Sequence, residues 1–226
     1  MTAVNPDNVC AHLIKHYDYR EDALNYMFQM QNSLQEFVGK KRGNPYPNSE
    51  LTDFARAKEA IYFWGAATTE WFELIDAQDK YLNELGLFGK DHLRTQTAKL
   101  ELQYEYIDIW HFLMNIFLYT GIQDVSLIDF KKFGKTANYK SIDMCWSEMS
   151  YWVGRYVNSL PYKHWKTYKD YEIPKSHLEI CFEHILEIFV TLGNLLDIDH
   201  EMFFDLYCSK NEENVERQND ESKGYV

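Results

Sequence analysis

Glu70 and Glu73 in the stretch WGAATTEWFELIDA, and Glu105 and Asp108 in ELQYEYIDIWHFLMN, are carboxylates set among residues that belong in a core. On a helix, residues three or four apart share a face, so each pair presents two carboxylates side by side. Positions 101, 105, 108, 112 and 115 form one stripe reading Glu, Glu, Asp, Phe, Asn, while 102, 106, 109, 113 and 116 read Leu, Tyr, Ile, Leu, Ile. A helix apolar around most of its circumference is buried, and a buried carboxylate is protonated, paired or bound to metal. Gly65, Ala66 and Ala67, one turn before Glu70, are small enough to let another helix approach. The two acidic pairs can then face each other across a bundle. Four oxygen ligands with no cysteine nearby suit a hard divalent cation, Mg2+ before Mn2+.

Two other readings compete. Ion pairing with Lys or Arg is weakened because FWGAATTEWFELIDA and YEYIDIWHFLMN contain neither residue. A di-iron bundle requires two ExxH motifs, and only Asp108 to His111 comes near, with Asp in place of Glu. His111 alone reads as a hydrogen-bonded core histidine.

The elements that must position these residues are helical. A Pro-rich break, NPYPNSE, precedes candidate N-caps Ser49 and Thr52, then a helix over about 51–85. LGLFGKD interrupts it, and a second long helix covers about 92–120, ending near Gly121. FKKFGKTANYK reads as a loop, and further helices are expected near 141–160, 175–195 and 200–218. No run alternates in the β pattern, so the fold expected is an all-α helical bundle, a single domain over 1–226. LELQYEYIDIWHFLMNIF from Leu100 and LEICFEHILEIFVTLGN from Leu178 align Glu101 with Glu179 and Glu105 with Glu183, but Asp108 with Leu186. Either the region of about 139–195 is a degenerate second copy of the acidic helix pair, or two buried helices are alike by composition.

Composition narrows the function. A net charge of −12 argues against duplex DNA as a partner, and an anionic small substrate would need cations or a local basic cluster to offset repulsion. No run approaches the roughly 20 apolar residues of a membrane span. The N-terminus lacks the pattern of a signal peptide, so a cytoplasmic location is expected. Cys10, Cys145, Cys181 and Cys208 form no CxxC pair and are expected to stay reduced as small apolar residues.

ExxE on one helix followed by ExxD on the next resembles the all-α nucleoside triphosphate pyrophosphohydrolases, the MazG-like enzymes and dimeric dUTPases. EYIDIWHFLMN is similar to the stretch around ExxD in dimeric dUTPases and the bacteriophage dCTP/dUTP pyrophosphatases. YCSKNEENVERQNDESKGYV resembles the family's closing motif, through Lys210, Asn211, Asn214, Arg217, Gln218, Gly224 and Tyr225. MFQMQNSLQEF resembles its first motif, in which amides contact the base; here Gln31 and Gln35 stand one turn apart on one face. The chain departs from the family between its acidic helices, where NELGLFGKDHLRTQ replaces a Trp-Lys-rich segment. A similar YKHWKTYK occurs at 162–169, and NDES is inserted before the C-terminal Gly-Tyr.

The resemblance implies hydrolysis of a deoxypyrimidine triphosphate, dUTP or dCTP, to the monophosphate and pyrophosphate. It implies Glu70, Glu73, Glu105 and Asp108 as ligands of two or three Mg2+ ions, with Glu73 also positioning or deprotonating the attacking water. It implies Gln31, Gln35, Lys210, Asn211, Asn214, Arg217 and Gln218 as nucleotide contacts, the last five in a segment of about 200–226 that closes on the substrate. A homodimer is expected, in the host cytoplasm if the chain is phage-encoded. The alternatives are a MazG-like enzyme acting on another or modified nucleotide, or a non-catalytic acidic interaction module.

Overall fold

The computed structural model describes residues 15–122, 124–135, 139–163 and 173–219. Among the described residues there are six α-helices: α1 (Ala23–Arg42), α2 (Asp53–Phe88), α3 (Leu93–Tyr119), α4 (Ile142–Asn158), α5 (Lys175–Leu195) and α6 (His200–Asn219). No strand occurs among the described residues, so the chain is an all-α bundle. Cys10, most of YKHWKTYK and the terminal Gly224 and Tyr225 lie outside the described residues.

Local signals set the helix ends. Thr52, not Ser49, caps α2, its hydroxyl accepting from the Ala55 amide at 3.2 Å. The helix runs through Gly86 and stops at Gly89, whose φ of 78° lies in the left-handed region that glycine enters without a steric penalty. The break therefore falls a few residues later than expected, because one glycine inside a well-packed helix costs only about 1 kcal/mol. Arg94 then ties back to the nearly buried Glu84 at 2.8 Å, closing the α2–α3 hairpin. Ser141 caps α4 through the Met144 amide at 3.2 Å. Among its described residues, the loop read at 130–140 contains a short 3-10 turn, Phe130–Lys132, with Phe130 buried.

The α2–α3 hairpin is the main helix pairing, α4 and α5 form a second, and α1 and α6 pack on each other and on α3. Helix α3 is the axis of the molecule. From Tyr106 to Tyr119 all its residues except Asp108 and Phe112 are buried. Tyr106 stacks on Phe189 of α5 at 4.3 Å and donates its hydroxyl to the Phe189 carbonyl at 2.8 Å. Trp110 also stacks on Phe189, at 5.1 Å. On α2, Trp71 is buried and stacks on Trp146 of α4 at 4.1 Å. The three described cysteines are buried and unbridged, as expected, and burial pushes the Cys145 thiol up to about 11.

Trp71 sits next to Glu70 and docks the acidic helix on the second helix pair. Trp71→Ala should destabilise the fold by about 3–5 kcal/mol, the range for a buried aromatic replaced by alanine, as read from urea unfolding by circular dichroism.

Candidate metal centre and adjoining pocket

Glu70 and Glu73 project from α2 and Glu105 from the facing turn of α3. Each brings a carboxylate oxygen to within 4.8 Å of the other two. Glu70 and Glu105 are partly buried and Glu73 is exposed. Burial first, then repulsion from neighbouring carboxylates, raises the Glu70 and Glu105 carboxyls from the ordinary 4.5 to about 7. Lys210 acts in the opposite sense on both but does not offset them. The donor set is oxygen only, on two rigid helices, and its unneutralised charge fits a hard divalent cation.

Asp108, one turn beyond Glu105, is not part of this trio. Lys210 of α6 holds its carboxylate at 2.7 Å and reaches Glu213 at 3.7 Å. Ion pairing, which the basic-free acidic segments argued against, thus accounts for one of the four carboxylates, with a cation supplied from the other end of the chain. Burial pulls Lys210 down, but the Asp108 and Glu213 carboxylates beside it together outweigh this and leave its ammonium above the ordinary lysine value.

A cavity of about 640 Å³ opens beside the trio. Glu70 and Asp108 form part of its wall, followed along α3 by His111, Phe112, Asn115 and Tyr119. Of the expected nucleotide contacts, Gln31, Gln35, Asn214, Arg217 and Gln218 line it. Gln31 is fully buried, its amide held by Asn115 at 2.8 Å and Tyr207 at 3.0 Å. Neither Lys210 nor Asn211 lines the cavity: both are buried, Lys210 against Asp108 at 2.7 Å and Asn211 donating to the Tyr207 hydroxyl at 3.4 Å.

The cavity also holds residues the sequence analysis left out: Arg42, Lys58, Tyr62 and Phe63. A signal for three of them was present. Lys58, Tyr62, Ala66 and Glu70 are successive i+4 positions on α2, and Gln31, Gln35, Val38 and Arg42 stand four, three and four apart on α1. Arg42 donates to the Gln218 side chain at 3.0 Å, linking the end of α1 to α6 across the cavity. Phe63 and Phe112 stack at 6.2 Å as an aromatic wall.

An all-α bundle that places a carboxylate trio beside a deep cavity with basic and amide side chains has the anatomy of a nucleotide pyrophosphohydrolase. The sequence signature described as dUTPase matches residues 23–222, and the chain belongs to the dUTPase family. No curated protein and no solved structure matches it.

With Glu70 and Glu105 near 7 in the native protein and near 4.5 when unfolded, the folded chain holds protons that the unfolded chain releases. The stability they contribute is full below about pH 4.5 and is lost as pH rises through about 7. The thermal midpoint of the metal-free protein should therefore fall between about pH 5 and pH 8, and Glu105→Gln should raise the midpoint at pH 8 and flatten the profile. A divalent cation at about 100 times its Kd should restore about 2.7 kcal/mol at pH 8, checked by calorimetry with and without chelator.

Proposed function

We propose that the protein hydrolyses a deoxypyrimidine triphosphate, dUTP first, to the monophosphate and pyrophosphate, with Mg2+ held by Glu70, Glu73 and Glu105. Asp108 becomes a fourth ligand once Lys210 turns from it to a phosphate. The observation that carries this reading is the carboxylate trio converging from α2 and α3 at the wall of a cavity that also contains Arg42, Lys58 and Arg217.

Divalent ions bound there supply Lewis-acid chemistry, offsetting triphosphate charge and making water easier to deprotonate. The remaining work belongs to the chain. Glu73 is exposed and offers an oxygen to take the proton of the attacking water, as general-base geometry requires. Arg217, Lys58 and Lys210 meet the charge that develops on the phosphate oxygens. Phe63 and Phe112 give the base an apolar surface. The attacking water adds to phosphorus, the phosphoanhydride bond breaks, and pyrophosphate leaves with the electron pair.

We place two copies of the chain in the working enzyme. Helix α2 leaves Tyr62, Phe72, Leu82 and Leu87 exposed, an apolar load suited to a second copy. No helix among the described residues is long and apolar enough to cross a membrane, and the reading puts the reaction in the cytoplasm. A non-catalytic interaction module gives no reason for basic residues to line a cavity beside the acidic trio.

A pyrophosphate-release assay over a panel of triphosphates tests this reading. With Mg2+, dUTP should be turned over, and Glu105→Ala should abolish turnover with an unchanged helical circular-dichroism spectrum. Glu73→Gln should lower kcat by about 10²–10⁴, the range for a removed general base. Near-normal activity of Glu105→Ala would refute the assignment.

A further inference from the structure

Two stripes of α6 face different ways. At about 100° per residue, Asp205, Ser209, Glu212 and Glu216 fall on one line of the helix, and Lys210, Asn214 and Arg217 on another about 140° around it. The second line is the working one: Lys210 holds Asp108, and Asn214 and Arg217 line the cavity. Beyond Asn211 no described residue of α6 is buried. Apolar packing therefore fixes the first half of the helix and leaves the turns carrying Asn214 and Arg217 to polar ties.

The first line is occupied by residues 15–19, which run along it in extended, non-helical form. Asp205 is 7% exposed. A buried carboxylate must have its oxygens met, and consecutive residues of this segment meet both. Oδ1 accepts the Tyr17 backbone N–H and Oδ2 accepts His16 Nδ1, each at 2.8 Å. Lys15 reaches Glu212 at 2.6 Å, and the Tyr19 ring meets Phe204 edge-on at 5.7 Å. Burial first, then the Glu212 carboxylate, raises the Tyr17 phenol above its ordinary value, as befits a ring laid against the same line. From Phe204 to Glu212 the segment covers about 12 Å of helix. It lies ahead of the span 23–222 shared with the dUTPase family.

We infer that residues 15–19 anchor α6 from behind, and that Asp205, His16 and Tyr17 are positioning residues that fix the rotation and height at which Lys210 and Arg217 are presented to phosphates. The inference rests on the nucleotide reading above. A helix gripped on one side by the anchor and on the other by the Lys210–Asp108 pair has a single seat. Without the anchor, the outer half of α6 is free to roll. A roll of about 20° carries a side-chain end about 5 Å from the helix axis through about 2 Å, enough to break a hydrogen bond to a phosphate oxygen. The carboxylate trio sits on α2 and α3 and does not depend on that seat.

Calorimetric titration of the full chain with Mg2+ alone, and with inorganic pyrophosphate at saturating Mg2+, tests the inference without requiring turnover. Asp205→Ala should weaken pyrophosphate binding about 10-fold, the scale of one lost hydrogen bond to a charged group, and leave binding of Mg2+ alone unchanged. His16→Ala, at an exposed side chain, should weaken pyrophosphate about 3-fold. Asp205→Asn should bind as wild type does, because its amide can still accept from Tyr17 and donate to the other tautomer of His16. Amides 210–217 should exchange hydrogen faster in both alanine variants while those of α3 do not. A segment that only added stability would lower the thermal midpoint of the alanine variants without moving the pyrophosphate affinity, and that result would overturn the inference, as would unchanged exchange. If Asp205→Ala fails to fold, His16→Ala decides. Wild-type protein that binds no pyrophosphate, yet whose exchange at 210–217 still depends on His16, would instead refute the nucleotide reading and leave the anchor standing.

Discussion

Repulsion among like charges is the constraint on which the rest of this structure depends. Glu70, Glu73 and Glu105 are held within 4.8 Å of one another, and two of the three have carboxyls raised to about 7. Nothing local rewards that arrangement. It persists because the stacking of Trp71 on Trp146 and of Tyr106 and Trp110 on Phe189 fixes the two helices regardless of what their acidic faces prefer. Packing of buried aromatic surface supplies the energy, and the carboxylates are carried along as passengers on rigid elements. A site assembled in this way is poised for a cation before one arrives.

Helix α3 orders the chemistry along its length. Glu105 and Asp108 lie at the charged end, and His111, Phe112, Asn115 and Tyr119 follow along the cavity wall. From Asp108 to Asn115 is about 10 Å at the helical rise per residue. On the proposed reading, one helix therefore sets the distance between the substrate's phosphates and its base. Opposite it, α6 supplies the cations Lys210 and Arg217, and α1 supplies Gln35 and Arg42. The link from Arg42 to Gln218 joins those two walls.

The second helix pair, α4 and α5, does not repeat the site. Glu179 and Glu183, which align with Glu101 and Glu105, are both exposed on α5. What α4 and α5 contribute is apolar: Trp146 under α2 and Phe189 under α3. Acidic residues on a solvated face have no requirement for partners, so a composition that resembles the site carries none of its constraint.

Much of this was legible in the order of residues. Periodicity gave α2 to α6, the caps proposed before α2 and the LGLFGKD break placed its ends to within a few residues, and the i, i+3 spacing of Glu70 with Glu73 and of Glu105 with Asp108 identified the acidic faces. These are local properties, decided within a turn or two of the chain. What the order of residues could not decide was which side chains meet across elements. Lys210 neutralises Asp108 from a distant helix, Asn211 is held by Tyr207 rather than at the cavity, and Tyr207 meets Gln31, which in turn holds Asn115. Those outcomes depend on the rotation and distance of one packed helix against another, which the aromatic core sets and no single segment encodes.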